Sequence, residues 1–172
     1  KQKENKMGMD VHGLNPKMHK EITDYPTLMM ITSLEKKEEW DKRRDFLKSE
    51  DVRNKYWAED EEYNESNKGI YFRNNCWWWR PLWDFCYNVA PELISSELWG
   101  DGHHNSGAGL NDKDAKLLGE KLLKEIDNGG AEEFKRHHED QEKDEEYKYP
   151  FDAENVKAFA EFCIESGGFE IC

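Results

Sequence analysis

The stretch Asn74-Asn75-Cys76-Trp77-Trp78-Trp79-Arg80-Pro81-Leu82-Trp83-Asp84-Phe85-Cys86 decides how the rest of the chain is read. An asparagine side chain accepts hydrogen bonds from the free N–H groups of a helix's first turn, so Asn74-Asn75 is a natural opening for a helix carrying the tryptophans. Pro81 disturbs that reading. An interior proline removes a backbone hydrogen bond and costs about 3 kcal/mol, and it is comfortable only in the first turn. The helix therefore either starts near Arg80 or bends at Pro81. In both cases Trp79, Trp83 and Cys86 fall on one face. Three consecutive tryptophans cover about 200° of helical arc, so Trp77, Trp78 and Trp79 cannot all enter one core. Trp77 and Trp78 are thereby candidates for a partner surface.

The composition around this segment is unusual. The chain has 172 residues, a net charge of −13, and 37% charged residues. Leu, Ile, Val and Phe number 31, a fraction that with such a charge reads as disordered. Seven Trp, seven Tyr and eight Phe argue the other way, because each buries roughly 150–250 Å² when inside. The expectation is one globular domain over residues 7–172, with an aromatic core inside an acidic shell. Residues 1–6 read as disordered or as a cloning remnant. No apolar run approaches the roughly 18 residues of a membrane span, and the acidic balance disfavours direct contact with nucleic acid. The setting expected is cytoplasmic.

Outward from the tryptophans, Ile70-Tyr71-Phe72 reads as extended. Met9-Asp10-Val11-His12-Gly13-Leu14 alternates apolar and polar residues and stops at Asn15-Pro16, as a short strand does. Gly167-Gly168 ends a helix, and Phe169-Glu170-Ile171-Cys172 is a final strand whose natural partner is 9–14. Asn111 caps a helix to Asp127 with Ala115, Leu118, Leu122 and Ile126 inward. Asp152 caps another with Val156, Phe159, Ala160 and Cys163 inward. The fold class is mainly α (α+β), a single helical domain with a small sheet pairing the N-terminal and C-terminal strands.

Two segments stand apart. Residues 17–67 read as a helical insertion. Thr32-x-x-Glu35 is a capping box that starts a helix near Ser33, the pairs Glu38–Lys42 and Glu39–Arg43 support it, and a second helix follows Ser49. Residues 131–147 read as an acidic exposed helix, with His137-His138 solvated. The acids Glu59, Asp60, Glu61, Glu62, Glu139 and Asp140 join Trp77 and Trp78 as candidate partner-binding residues.

The remaining candidates lie in Trp99–Asp112. Asp101, His103, His104 and Asp112 supply N and O ligands within twelve residues, and a metal needs three or four such groups on one side. Adjacent histidines in an extended stretch point to opposite faces, so only one of the pair fits such a site. Gly107-Ala108-Gly109 ahead of the Asn111 helix suggests an anion cradle, but it lacks the phosphate-loop spacing. The cysteines Cys76, Cys86, Cys163 and Cys172 form no C-x-x-C pair and read as reduced thiols. No catalytic motif and no cofactor are expected.

Met9-Asp10-Val11-His12-Gly13, the run from Tyr71-Phe72-Arg73-Asn74-Asn75 into Trp77-Trp78-Trp79-Arg80-Pro81-Leu82-Trp83, Asn105–Leu110 and Gly167–Cys172 together resemble small uncharacterised proteins encoded by bacteriophages and bacterial genomes. The resemblance spans about two thirds of the chain and skips residues 17–67. It implies a viral or prophage origin and a cytosolic setting, and carries no activity. The functional expectation is an acidic, non-enzymatic interaction module that blocks a nucleic-acid-handling host protein by charge mimicry. The alternatives are a small metal- or ligand-binding enzyme at the 101–112 loop and a minor virion component.

Overall fold

A computed structural model describes residues 8–141 and 149–172. The expectations for residues 1–6 and for the far end of the 131–147 helix fall outside these residues. The chain is 62% helical with a small antiparallel sheet, an α+β fold. It divides into two units, one from the described residues of Lys1–Lys17 and Lys68–Cys172, the other Met18–Asn67.

In the first unit, β1 (Gly8–Gly13), β2 (Tyr71–Asn75), β3 (Ala108–Asn111) and β4 (Gly168–Ile171) form an antiparallel sheet in the order β2-β1-β4-β3. The two end strands pair as the alternation predicts, with Val11 opposite Ile171. Met9, Val11, Phe169 and Ile171 are buried, whereas His12 and Glu170 are exposed. The two-residue period thus gives the sheet one apolar and one polar face. The strand β3 replaces the expected glycine loop. The Gly107 N–H donates to Ile171 O, and Gly109 stands opposite Glu170. Those backbone groups are committed to the sheet and cannot cradle an anion.

Four helices of this unit supply most of its core: α4 (Cys76–Val89), α6 (Asp112–Asp127), α7 (Gly130–Gln141) and α8 (Ala153–Glu165). Caps set three of their starts. The Asn75 side chain accepts from the N–H groups of Trp77 and Trp78, Asn111 from Asp114, and Asp152 from Asn155. The helix α4 therefore begins at Cys76, not Arg80, and Pro81 lies buried inside it. Trp79, Trp83 and Cys86 share its inner face, each fully buried. Trp79 and Trp83 stack at 5.4 Å, and Phe159 and Phe169 meet them edge-on. α6 crosses α8 at Gly119, where a Cβ would stand 2.6 Å from Ala160 O. Only glycine permits that approach.

The short helix α5 (Ser96–Asp101) is tied to α4 by indoles. The Trp83 Nε1–H donates to Trp99 O at 3.0 Å, and the Trp79 Nε1–H to Gly102 O at 2.7 Å. Both acceptors lie at the C-terminal end of α5, where carbonyls have no intrahelical partner.

The second unit contains α1 (Pro26–Lys36), α2 (Trp40–Phe46) and α3 (Glu50–Ser66). Its core is Tyr25, Leu28, Ile31 and Tyr56, flanked by Leu34, Leu47 and Tyr63. The capping box at Thr32 is overturned, because α1 starts seven residues before Ser33 with Pro26 in its first turn. The expected Glu38–Lys42 and Glu39–Arg43 pairs do not form. Glu38 breaks the helix with φ 56°, Lys42 bonds Glu39, and Arg43 bonds Glu35. The Asn67 side chain closes the unit. It accepts from the N–H groups of His19 and Lys20 and donates to Lys20 O.

Candidate functional site

The turn after α5, closed by the His103 N–H on Gly100 O and the His104 N–H on Asp101 O, separates the histidines without the extended backbone that was expected. His104 is exposed, while the His103 side chain is 19% exposed. His103 meets neither Asp101 nor Asp112. Its Nε2 lies 3.4 Å from Asp84 Oδ1, its ring meets Trp99 edge-on at 5.0 Å, and its Nδ1 is buried with no hydrogen-bond partner. Asp101 is exposed at the end of α5, and its carbonyl accepts from Ser106 Oγ and the His104 N–H. Asp112 is the exposed first residue of α6, where a carboxylate complements the helix dipole. Among the described residues, no group of three or more His, Cys, Asp or Glu side chains is placed to hold a metal ion.

Asp84, the carboxylate beside His103, was not singled out in the sequence. It and Arg80 are the only charged residues in α4, an isolation that was visible. The Trp99 Nε1–H donates to Asp84 Oδ1 at 2.8 Å, fixing the carboxylate. With Nε2 facing Asp84 and Nδ1 buried, His103 offers neither nitrogen to a substrate. The contact orients the His103 ring against Trp99 and Asp84.

The candidate partner residues fall into two groups. Trp77, Trp78 and Glu139 converge on Tyr149. Trp77 is 43% exposed and its ring lies 5.1 Å from that of Tyr149. Arg80 donates to the Tyr149 hydroxyl at 2.8 Å and stands over its ring. Trp78, Glu139 and Tyr149 line a cleft of about 280 Å³ together with Lys135 and His138. Asp140 is exposed next to Glu139.

The α3 acids differ from one another. Glu59, 12% exposed, accepts from the Leu28 N–H at 2.8 Å. It caps α1 from another helix, so its sequence assignment as a partner contact gives way to a structural role. Glu62 accepts from the Tyr25 hydroxyl. Burial pushes the Asp60 carboxyl above its ordinary pKa, the Asn64 hydrogen bond opposes this, and the Glu35 charge adds to it. Glu61 faces outward.

The polar face of the sheet holds a further group that was not singled out in the sequence, although the strand alternation places it there. Asp10 accepts from the Tyr71 hydroxyl and lies 3.4 Å from the Arg73 guanidinium, while His12 rests against the Tyr71 ring at 5.1 Å. Burial, the Asp10 hydrogen bond and the Asp10 charge push the Tyr71 hydroxyl up to about 12. Tyr71 thus remains a neutral donor. All four cysteines are free. Burial holds the Cys86 and Cys163 thiols well above their ordinary range, and desolvation with the Glu170 charge raises Cys172. None of these three is a thiolate nucleophile at neutral pH.

No family model matches the chain, and no curated protein or solved structure matches it either. Among the described residues, no helix is long and apolar enough to cross a membrane.

Proposed function

We propose that this chain is a non-enzymatic interaction module whose protein partner carries a basic surface, and that it occupies a groove that otherwise receives nucleic acid. The observation that supports this reading most is the meeting of Trp77, Trp78 and Glu139 at Tyr149. Residues about sixty positions apart in the chain form one aromatic surface there, with Glu139 and Asp152 beside Lys135 and Arg80. Part-exposed tryptophan is the residue type that most often anchors an interface. A net charge of −13 steers such a surface toward a basic partner and away from phosphate. The alternative of a catalytic loop at 101–112 has less support, because His103 turns inward to Asp84 and, among the described residues, no group of three or more ligating side chains gathers there.

The test is capture of partners from a bacterial lysate, followed by competition. A captured partner should release steeply by about 0.5 M salt, where screening is complete within about 4 Å. Trp77→Ala should weaken it by at least tenfold, on the order of 1.4 kcal/mol, and duplex DNA should displace it. A partner indifferent to salt, or one that holds DNA and this chain together, removes the mimicry reading.

A further inference from the structure

We propose that the cleft lined by α4, α5 and α7 is a receptor for a guanidinium group, an arginine side chain presented by the partner. This rests on the interaction reading above and names the chemistry of one of its contacts. The cleft has a volume of about 400 Å³, and Asp84, Tyr87, Trp99, Phe134, His137 and His138 line it. No Lys or Arg is among its lining residues. Three observations specify a cation as its occupant.

The first is the carboxylate. Asp84 accepts the indole N–H of Trp99 through Oδ1, so its position is fixed before anything binds. Among the described residues, no Lys or Arg pairs with it; His103 lies 3.4 Å away, and His137 and His138 line the same cleft. Its side chain is 43% exposed, which leaves it reachable. The second is the aromatic wall. The rings of Tyr87 and Trp99 lie 5.7 Å apart at 33°, and Phe134 faces the same space. Ring faces carry negative potential and attract a cation. The third is the combination of a flat wall with a fixed acid. A planar guanidinium stacks on rings and donates to a carboxylate in one pose, whereas a compact ammonium keeps more of its water. The cleft therefore favours arginine over lysine.

The experiment uses ¹⁵N-labelled full chain at about pH 8. N-acetyl-arginine amide is titrated while the Trp99 indole N–H signal is followed. N-acetyl-citrulline amide, the neutral isostere, is the control. The expected result is a saturable shift with arginine, at least tenfold weaker with citrulline and at least tenfold weaker in Asp84→Asn. That variant keeps an oxygen for the Trp99 bond. The citrulline arm uses the unaltered chain and decides the matter whether or not the variant folds. No saturable shift at tens of millimolar, or equal shifts with citrulline, overturns the proposal. If arginine fails here while salt-sensitive partner capture persists, this receptor alone is lost. If arginine binds and capture fails, the interaction reading is lost and the receptor stands.

Discussion

The two units hold themselves together by different means. The unit built on the sheet buries large rings. Trp79, Trp83, Phe159, Phe162 and Phe169 are all essentially inaccessible, and they pack ring against ring. The Met18–Asn67 unit buries four apolar side chains and leaves Trp40 and Trp57 more than half exposed. It relies on polar groups placed where backbone ends need them: Asn67 across its two termini, Glu59 at the start of α1, and Glu62 on Tyr25. Acidic residues therefore have two meanings in this chain. In 18–67, some of the fourteen acids hold the fold. Near Tyr149, Glu139 and Asp140 are exposed.

The largest test of this contrast is Trp83→Ala. It removes a stacked ring, a part-buried hydrogen bond to Trp99 O and the edge contact with Phe169. Core Trp→Ala changes cost about 3–5 kcal/mol, so urea unfolding followed by near-UV circular dichroism should shift to much lower denaturant. Asn67→Ala is the counterpart in the other unit. It strands the N–H groups of His19 and Lys20, each worth about 1–3 kcal/mol if left buried. Amide exchange should quicken over 18–67. Equal quickening throughout 68–172 would break the contrast by making the two units one cooperative block.

Glu59→Ala comes next. Loss of a helix cap costs about 0.5–2 kcal/mol, and the first turn of α1 should exchange faster. Glu61→Ala, on the exposed side of the same helix, should change stability by less than about 0.5 kcal/mol. If the two substitutions cost the same, the division of α3 acids into structural and outward-facing ones is wrong.

This division also explains what was legible in the sequence. The starts of α6 and α8 were readable because Asn111 and Asp152 cap locally, within three residues of the groups they serve, whereas Pro81 left the start of α4 open between the Asn75 cap and Arg80. Pairing of β1 with β4 followed from alternation at both ends. The start of α1 was not readable, since Tyr25 makes no side-chain cap and the group that does, Glu59, lies 31 residues after the Leu28 N–H it accepts from. β3 was hidden for a related reason. Gly107-Ala108-Gly109 has almost no side-chain pattern, and only the facing strand gives it a register. At the candidate site, the sequence singled out Trp77, Trp78 and Glu139, of which Trp77 and Glu139 are exposed and Trp78 is half-buried, but it did not single out Asp84. Its partners Trp99 and His103 lie fifteen and nineteen residues away, beyond any local spacing rule.

The smallest expected effect concerns Asp60, and it depends on pH. Burial raises the folded-state pKa of its carboxyl above the ordinary value near 4, with the Glu35 charge contributing in the same direction. A carboxyl with a raised folded pKa favours the native state when it is protonated. Its contribution is complete below the unfolded pKa and is lost as pH rises through the folded one. At neutral pH the ionised Asp60 is therefore a modest burden on the 18–67 unit, carried because the side chain is still largely reached by solvent. Asp60→Asn should raise the stability of that unit at pH 7, with the gain shrinking toward zero as pH falls below about 4. Thermal unfolding of both chains across that range measures it. A gain that does not change with pH would mean that the substitution acts through packing or the Asn64 hydrogen bond instead of through charge. Asp60 would then belong with Glu59 among the acids that the fold uses.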